Sequence, residues 1–282
     1  MPELPEAEVA ARQLRQRLVG GKICDCWVGR DDIVREGLQS LPWYRSSRIE
    51  GVERRGKSVI LVCGRGGERR YLAAELGMTG LLLLPSAPAK HPQHTHFRLF
   101  LDGCAEPEVR YWNPRRFGRL LLLDQAGLDR YTGRRFGHDP LTMSFDEFQA
   151  LLLTNRSRLK SLLMRQQAIA GIGNIYANEI LFRAKLHPNQ IANRIQIARL
   201  PDLYGTMQAV LREAIRMGGS SVRDYFAPDG TEGRYKRQHL VYAKAGMPCP
   251  NQCGGTIRRS VGERSSFYCP NCQRIGRRTT KK

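Results

Sequence analysis

The spacing of hydrophobic residues predicts one N-terminal helix. Between Pro5 and Val19, small or apolar residues recur at steps of three and four positions, and Gly20-Gly21 follows as a stop. The recurring positions are Ala7, Ala10, Leu14 and Leu18. One face of this segment is therefore suited to packing against a core.

After the helix, the apolar period shortens to that of strands. Short β-like runs alternate with turns up to residue 124, a spacing typical of a β-sandwich or barrel on which the first helix packs. The runs are KICDCWVGR, SSRIEGVERRGKSVILVC, RRYLAAELGMTGLLLLP, HFRLFLDG, EVRYWN and FGRLLLLD. Residues 125–142 carry no clear period and are predicted to be irregular.

Beyond residue 142 the period lengthens to that of helices, and Ser144 is a suitable N-cap for the first of them. The helical segments are SFDEFQALLLT, RLKSLLMRQQ, GNIYANEILFRAK and ARLPDLYGTMQAVLREAIRMG. Strands followed by helices predict an α+β fold.

The charge of the chain indicates a polyanionic partner. The 282 residues include 46 Lys and Arg against 26 Asp and Glu, a formal net charge of +20, and nucleic acid is the first such partner to consider. No run of about 18 apolar residues marks a membrane span. The acidic, proline-interrupted start lacks the basic and apolar order of a secretion signal. We therefore expect an intracellular protein without a membrane partner.

Four of the eight cysteines crowd near the C-terminus in a C-x3-C-x15-C-x2-C pattern. This spacing is close to that of a zinc ribbon, in which each of two knuckles donates two thiolates. The cysteines are Cys249, Cys253, Cys269 and Cys272. Two disulfides are the alternative, which an intracellular setting disfavours. The other cysteines are expected to be buried, inert thiols; they are Cys24, Cys26, Cys63 and Cys104.

The first six residues, MPELPE, raise two interpretations. Removal of the initiator Met would leave Pro2 with a free secondary amine, which is a possible reagent. Alternatively, Pro2 only precedes a helix that carries Pro5 in its first turn, where proline is well tolerated.

Several turns combine glycine with groups that suit nucleic acid. Gly171 and Gly173 precede a helix that begins near Asn174, and the free amides of a helix start bind phosphate. NPRRFGR sets Phe117 beside Arg115, pairing a ring able to enter a base stack with a cation. LGMTG offers Met78, and RRGKS offers Lys57. Taken singly, each also fits a tight turn, a core side chain or a solvated charge.

Together, seven motifs in this order resemble the formamidopyrimidine-DNA glycosylases, bacterial enzymes that excise oxidised purines. They are MPELPE, RRGK, LGMTG, NPRRFG, GIGNIYANE, GGSSVRDYF and RSSFYCPNC. The related endonuclease VIII branch usually begins PEGPE, so Leu4, with Met78 and Phe117, favours the oxidised-purine branch. The resemblance runs nearly end to end.

The resemblance implies a domain order as well as a fold. It predicts a catalytic β-sandwich domain, a linker, a helix-two-turn-helix DNA-binding domain, a zinc finger hairpin and a basic tail. The corresponding ranges are 1–125, 126–142, 143–240, 241–274 and 275–282.

The resemblance also implies the chemistry. Pro2 matches the nucleophile that attacks C1′ of the damaged nucleoside, expels the base and forms a Schiff base, after which β- and δ-elimination cut the strand. Glu3 matches the proton-shuttling acid, and Glu6 matches a second carboxylate that positions the site. Lys57 matches a residue that contacts the lesion and its phosphate, while Arg264 matches the finger arginine that serves the last elimination.

Further matches form the expected DNA surface. Met78, Arg115 and Phe117 match the residues that fill the gap left by the flipped nucleotide. The other matched DNA contacts are His94, Arg156, Lys160 and Asn174. A metal cluster of His91, His94 and His96 is the alternative for the histidines. The resemblance implies one structural Zn²⁺ on the four C-terminal cysteines, damaged double-stranded DNA as partner, a monomer, and a place in the bacterial cytoplasm at the nucleoid.

The chain departs from the family pattern at several positions. Asn113 stands where Asp is usual before the arginines of NPRRFG, Arg165 where an acidic residue is common, and the first knuckle has one extra residue before Cys253. The chain also has Ala7 and Val9 where the family start usually reads PELPEVET. Two other functions therefore stay open: a glycosylase for oxidised pyrimidines, and a lesion-binding homologue without catalysis.

Overall fold

In the computed structural model, the described residues are 2–87, 92–222, 225–262 and 264–275. They form two compact units. The first unit comprises Met1–Arg135 and Ala214–Lys236, and the second comprises Phe136–Glu213 and Arg237–Lys282. His91 of the predicted histidine cluster and residues 276–282 of the predicted tail lie outside the described residues.

The first unit contains the predicted helix followed by strands. Helix α1 spans Leu4–Leu18, and the shorter helices α2 and α3 span Leu41–Tyr44 and Gln125–Arg135. The strands are β1 Lys22–Val28, β2 Val34–Glu36, β3 Arg48–Arg55, β4 Ser58–Arg65, β5 Glu68–Glu75, β6 Leu81–Leu83, β7 Thr95–Asp102, β8 Glu108–Trp112 and β9 Leu120–Leu123. Each predicted β-like run overlaps at least one of these strands.

Within the described residues, the nine strands join in the order β2-β9-β5-β4-β3-β1-β7-β8-β6. Strands β3 and β1 are joined by a single residue pair, Lys22 with Arg48. This junction divides the sheet into a part of five strands, β2-β9-β5-β4-β3, and a part of four, β1-β7-β8-β6. Both parts and α1 contribute to one core, in which Leu14, Leu61 and Leu99 are almost completely buried. The predicted α+β class, with the first helix packed on the strands, is confirmed.

The prediction that residues 125–142 are irregular was wrong for their first part, which forms α3. Its face toward the core consists of Gly127 and Tyr131, so the helix has almost no apolar period to detect. Asp124 caps the start, because its side chain accepts the Gly127 N–H at 2.7 Å. Asp124 was therefore the available sequence signal.

The second unit is helical and ends in a small hairpin. Ser144 caps its first helix as predicted, in a capping box with Glu147. Its elements are α4 Phe145–Thr154, α5 Leu159–Met164, α6 Asn174–Arg183, α7 Leu200–Arg216, β10 Arg258–Ser260 and β11 Ser266–Tyr268. The last residues of α7 already belong to the first unit.

The carboxylate of Glu179 fixes the start of the C-terminal segment on α6. Glu179 is fully buried and accepts three consecutive backbone N–H groups, from Leu240 at 2.8 Å, Val241 at 3.0 Å and Tyr242 at 2.9 Å. Charge-assisted bonds of this kind are about twice as strong as neutral ones. The segment that begins at Leu240 is thereby held in a defined position on the helix that begins at Asn174.

No helix in the described part of the chain has the length and apolar character needed to cross a membrane.

Candidate active site and nucleic-acid interface

The N-terminal residues are held in place by the start of α1. Pro2 and Glu3 are buried, and Glu3 is the N-cap residue with an extended backbone. Its N–H donates to Oε2 of Glu6 at 2.8 Å, as part of a capping box between the two glutamates. The carboxylate that follows Pro2 is therefore fixed by the helix start, and Glu6 supports it from one turn below.

Glu6 also binds a segment that is distant in sequence. Its Oε1 accepts the N–H of Ser220 at 2.7 Å, and its backbone oxygen accepts the hydroxyl of Tyr225 at 3.2 Å. Gly219, with φ of +82°, comes so close that a Cβ there would lie 2.9 Å from Oε1. Sequence reasoning missed Ser220, for which the preceding pair of glycines was the signal. Glu6 thus joins the N-terminus to the segment that follows α7.

Lys57 lies in a two-residue turn between β3 and β4, closed by the pair Arg55 and Ser58. Gly56 allows the turn with φ of +57°, and Lys57 is half-buried. Ser58 hydrogen-bonds to the hydroxyl of Tyr131 on α3 at 2.8 Å, and burial raises the pKa of Tyr131. Helix α3 therefore braces the turn that carries Lys57.

The turns that carry Met78 and Phe117 touch each other. A Cβ on Gly77 would lie 2.5 Å from the nitrogen of Gly118, so only glycine fits at that contact. Met78 is half-buried, whereas Phe117 is 58% exposed with the Arg115 guanidinium 5.1 Å from its ring centre. Phe117 is therefore not a core residue, and the first unit brings the three predicted gap-filling side chains onto neighbouring turns.

His94 and His96 have different surroundings. His94 is half-buried and packs edge-on against Trp112, while Nε2 of the buried His96 lies 3.1 Å from the carbonyl oxygen of Asn113. Burial lowers the pKa of His96, the hydrogen bond to the Asn113 carbonyl opposes this, and the nearby side chains of Arg30, His94 and Arg116 lower the pKa further. A neutral His96 is therefore part of the folded state.

We expect this histidine to make stability pH-dependent. An unfolded histidine titrates near pH 6.5, so it takes up a proton before the folded one does, and the free energy of unfolding falls as the pH drops below about 6.5. His96→Gln should reduce the slope of unfolding free energy between pH 7.5 and 5.5, measured by urea denaturation. His187, whose pKa burial also lowers, should keep part of the slope. Equal slopes in wild type and variant would contradict this assignment.

In the second unit, Asn174 begins a ten-residue helix and Gly173 is its N-cap. Gly171, with φ of +97°, turns the chain into the helix, and its N–H donates to the side chain of Gln166 at 2.8 Å. Asn178 donates to the backbone oxygen of Asn174 at 2.6 Å and accepts the Phe267 N–H at 2.8 Å. The helix start and the hairpin strand are therefore linked through one amide.

The side chain of Lys160 is buried rather than exposed at the surface. Its ammonium group donates to the backbone oxygen of Ser265 at 2.6 Å and to the hydroxyl of Ser266 at 3.0 Å. Arg264, the preceding residue of the hairpin, is exposed. Lys160 therefore supports the strand that presents Arg264, and its direct contact with DNA stays a prediction.

A cavity of about 610 Å³ opens beside these residues. Four cationic side chains line it, at Arg158, Lys160, Arg165 and Arg264. Arg156 is exposed on the loop between α4 and α5. The surface around the cavity is suited to an anion, and Arg165 adds a cation that sequence reasoning did not assign to it.

The four C-terminal cysteines meet as the spacing predicted. Their sulfur atoms all lie within 4.8 Å of one another, with 3.7 Å between Cys249 and Cys272 and 3.5 Å between Cys253 and Cys269. All four are free thiols, so the disulfide alternative is not adopted. A tetrahedral metal with sulfur ligands at about 2.3 Å needs sulfur atoms about 3.8 Å apart. The cluster can therefore hold a metal ion.

The prediction of buried thiols for the other cysteines was partly wrong. Cys26 and Cys63 are buried, and burial raises the pKa of each to about 12. Cys104 is half-buried, and Cys24 is exposed because its side chain points away from the core on β1. Alternation along a strand places neighbouring side chains on opposite faces, which the apolar appearance of the run concealed.

Comparison with known proteins independently supports the resemblance to the formamidopyrimidine-DNA glycosylases. Residues 1–120 match the formamidopyrimidine-DNA glycosylase N-terminal domain, and residues 136–225 match the formamidopyrimidine-DNA glycosylase H2TH domain. A formamidopyrimidine-DNA glycosylase of Solibacter usitatus is 39% identical over 97% of this chain and all of the relative.

Solved structures agree with these matches. The MutM (Fpg) protein from Thermus thermophilus superposes with a TM-score of 0.84 at 36% identity, over 98% of this chain and 100% of that one. A MutM in complex with DNA containing carbocyclic 8-oxo-G superposes with a TM-score of 0.83 at 31% identity, over 97% of this chain and 100% of that one. With more than a third of its residues identical to a relative that it covers from end to end, the chain belongs to the formamidopyrimidine-DNA glycosylase family.

Proposed function

We propose that this protein is a bifunctional DNA glycosylase and AP lyase of base excision repair that removes oxidised purines from duplex DNA. The observation that carries the proposal is the N-terminus, where the buried Pro2 is followed by the buried carboxylate of Glu3, whose backbone N–H donates to Glu6. The complex of MutM with DNA containing carbocyclic 8-oxo-G supports an oxidised purine as the substrate.

Pro2 supplies the nucleophile, provided that the initiator Met is removed. Its secondary amine attacks C1′ and loses its proton, and the base leaves with the electrons of the glycosidic bond. The C1′–O4′ bond then breaks as O4′ takes up a proton, and the nitrogen lone pair forms the C1′=N bond of a cationic iminium. An α-amine is neutral in about a quarter of molecules at pH 7.4, against about a thousandth for a lysine. The terminus is therefore the better nucleophile, and the iminium acidifies the C2′ proton whose loss begins strand cleavage.

The two neighbouring carboxylates have different roles: Glu3 transfers protons, and Glu6 positions other residues. Glu3, next to the nucleophile, gives a proton to the opening sugar and later takes one during elimination. Glu6 keeps Glu3 and Ser220 in place with its two oxygens and so acts through other residues. Lys57, on its braced turn, binds the phosphate beside the lesion and assists proton transfer.

The nucleotide must leave the stack before C1′ can be reached, and unstacking costs a few kcal/mol. Met78, Arg115 and Phe117 fill the gap. The side chain of Phe117 is 58% exposed, so it does not pack in the core and is available to contact DNA, which supports this role. The guanidinium of Arg115 offers hydrogen bonds to the base left opposite. His94, near these turns, contacts the same DNA.

The second unit binds the backbone of the DNA. The amides at the start of α6 beside Asn174 bind one phosphate, and Arg264 binds another and serves the last elimination. Arg156 and Lys160 add positive charge. The cationic lining of the 610 Å³ cavity supports this interface.

One zinc ion on Cys249, Cys253, Cys269 and Cys272 shapes the hairpin that carries Arg264. Their sulfur separations of 3.5 and 3.7 Å fit a tetrahedral thiolate site. When bound, the ion crosslinks the two knuckles and takes no part in the chemistry. The chain then acts as a monomer on damaged duplex DNA in the bacterial cytoplasm.

We expect loss of the zinc site to weaken DNA binding. Cys253→Ser should lower the zinc content of the purified protein well below one ion per chain and weaken lesion-DNA binding, because the hairpin loses its crosslink. Cys24→Ser, which removes an exposed thiol from the first unit, is the matched control and should retain both. Metal analysis and fluorescence anisotropy measure these quantities. If Cys253→Ser kept zinc and affinity, the ligand set would be wrong.

Excision assays test the function itself. Duplexes carrying 8-oxoguanine, a formamidopyrimidine, an oxidised pyrimidine or no damage should be compared under single-turnover conditions. We expect fast excision of the two oxidised purines followed by strand cleavage. Preferred excision of the pyrimidine would favour the endonuclease VIII-like alternative, and tight binding without excision would favour the non-catalytic one.

A further inference from the structure

We propose that Asn113 is a positioning residue that locks the Met78 turn and the Arg115–Phe117 turn together, so that both enter the DNA as one rigid insert. This inference rests on the proposed base-flipping glycosylase function. Asn113 is 0% exposed, and it follows β8 immediately before the turn that carries Arg115.

The backbone of Asn113 fixes the loops around the insert. Its N–H donates to the carbonyl oxygen of His94 at 2.9 Å. Its own carbonyl oxygen accepts the N–H of Arg116 at 3.2 Å and lies 3.1 Å from Nε2 of His96. The loop that carries His94 and the turn that follows Asn113 are thereby attached to the same residue.

The side chain of Asn113 connects the two turns. Its Oδ1 accepts the hydroxyl proton of Thr79, next to Met78, at 3.1 Å. Its Nδ2 donates to the carbonyl oxygen of Gly118, at the end of the other turn, at 3.2 Å, and to the hydroxyl oxygen of Tyr111 at 3.1 Å. One buried amide therefore bonds to both turns and to the strand beneath them.

Thr79 completes the connection. Because its hydroxyl proton points at Asn113, its oxygen lone pairs are available, and one accepts the N–H of Arg115 at 3.3 Å. The path from one turn to the other thus runs from Asn113 through Thr79 to the backbone of Arg115. The turns also meet at Gly77, where no Cβ fits.

In this chain the network is built on an amide. Gly118 offers only a carbonyl oxygen, and the hydroxyl proton of Tyr111 is already donated to the backbone oxygen of Glu75 at 2.6 Å. The atom of Asn113 that faces them donates twice, which an NH₂ group can do. Asn113→Leu keeps a side chain of similar size, removes the three side-chain hydrogen bonds and separates the second turn from the network.

Rigidity of this kind matters for insertion into DNA. A side chain that fills the gap of a flipped nucleotide offsets unstacking best if it does not lose its own freedom in the process. Met78 and Phe117 lie on turns that lack the regular backbone hydrogen bonds of paired strands. The conformations of these turns therefore depend on the bonds that Asn113 and Thr79 make. Loss of those bonds should weaken insertion more than binding.

The test measures insertion without requiring catalysis. A duplex with a tetrahydrofuran abasic analogue and 2-aminopurine opposite it reports insertion, because fluorescence rises when 2-aminopurine is unstacked. Wild type should raise the fluorescence on binding. Asn113→Leu and Thr79→Val should lower that rise by half or more while the dissociation constant changes by less than about threefold, a change within roughly 0.7 kcal/mol. Thr79→Ser, which keeps the hydroxyl, should restore the rise.

The corresponding rates give a second readout. Single-turnover excision of 8-oxoguanine should fall about tenfold in Thr79→Val and Asn113→Leu, whereas cleavage at a preformed abasic site should fall much less. Discrimination between cytosine and adenine opposite the lesion should narrow, because Arg115 loses its fixed position. Thr79→Val, of nearly unchanged shape, decides the matter if Asn113→Leu does not fold.

A full fluorescence rise in Thr79→Val would overturn the proposal, as would equal losses of excision and abasic cleavage. A wild-type protein that excises no oxidised purine would instead refute the proposed function. The fluorescence comparison would still decide on Asn113, because it depends on insertion alone.

Discussion

Blocking the nitrogen of Pro2 should abolish both base excision and the covalent protein-DNA adduct. Borohydride reduces the iminium during turnover and traps the protein on lesion-bearing or abasic duplex. A short N-terminal extension that cannot be removed by the cell converts the amine to an amide, which has no nucleophilic lone pair. The remaining amines are lysines, which are neutral about 250-fold less often than an α-amine at pH 7.4, so the residual rate should fall by at least that factor.

The matched control is the same extension followed by a protease site that ends immediately before Pro2. Cleavage should restore trapping and excision together, and mass spectrometry confirms the start of the chain. The burial of Pro2 adds a second reason for the loss, because an extension must also displace packed residues. Circular dichroism separates the two causes. Undiminished trapping in a folded, extended protein would remove Pro2 from the reaction.

Glu3→Gln should be the second most damaging change. Glutamine keeps the shape of Glu3 and its backbone N–H bond to Glu6, but it cannot exchange a proton. General acid-base groups typically contribute about 10²- to 10⁴-fold, and a loss in this range is expected for excision of 8-oxoguanine. Binding of lesion DNA should be retained. Single-turnover excision and anisotropy measure the two effects on the same protein.

Glu8→Gln is the control for a lost carboxylate on the same helix. Glu8 pairs with Arg12 and Arg54 at 2.7 Å each, so its role is structural and its loss should affect stability more than excision. An excision rate of Glu3→Gln equal to that of Glu8→Gln would show that Glu3 is a cap residue only.

The elements of the fold could be predicted because each has a local signal. Helix α1 has its apolar face and its glycine stop, and α4 has the Ser144 capping box. Helix α3 lacks such a face, since only Gly127 and Tyr131 are buried, so it was missed. The short β2 was missed as well, because three residues that pair in parallel with β9 show no period of their own.

In the candidate site, only residues that belong to recognisable sequence motifs could be predicted. The four cysteines predict a metal site from their type and spacing, whereas MPELPE predicts a nucleophile only through the family resemblance. The contacts that hold site residues in place have no such signal, because Ser220 meets Glu6 and Ser265 meets Lys160 across long stretches of chain. Such contacts depend on tertiary packing. The same applies to Asn113, because its place before a turn in the sequence does not show which turns its side chain joins.

The first unit is assembled from two stretches of chain, Met1–Arg135 and Ala214–Lys236, and this has a consequence for synthesis. A nascent chain that has reached residue 135 contains Pro2, Glu3 and Glu6, but it lacks the Ser220 amide and the Tyr225 hydroxyl that bind Glu6. A ribosome adds about 5–20 residues per second, so the roughly 100 residues still to come require about 5–20 s. During that interval the helical region is made and can fold. The terminus that leaves the ribosome first is therefore among the last parts of the protein to reach its final surroundings.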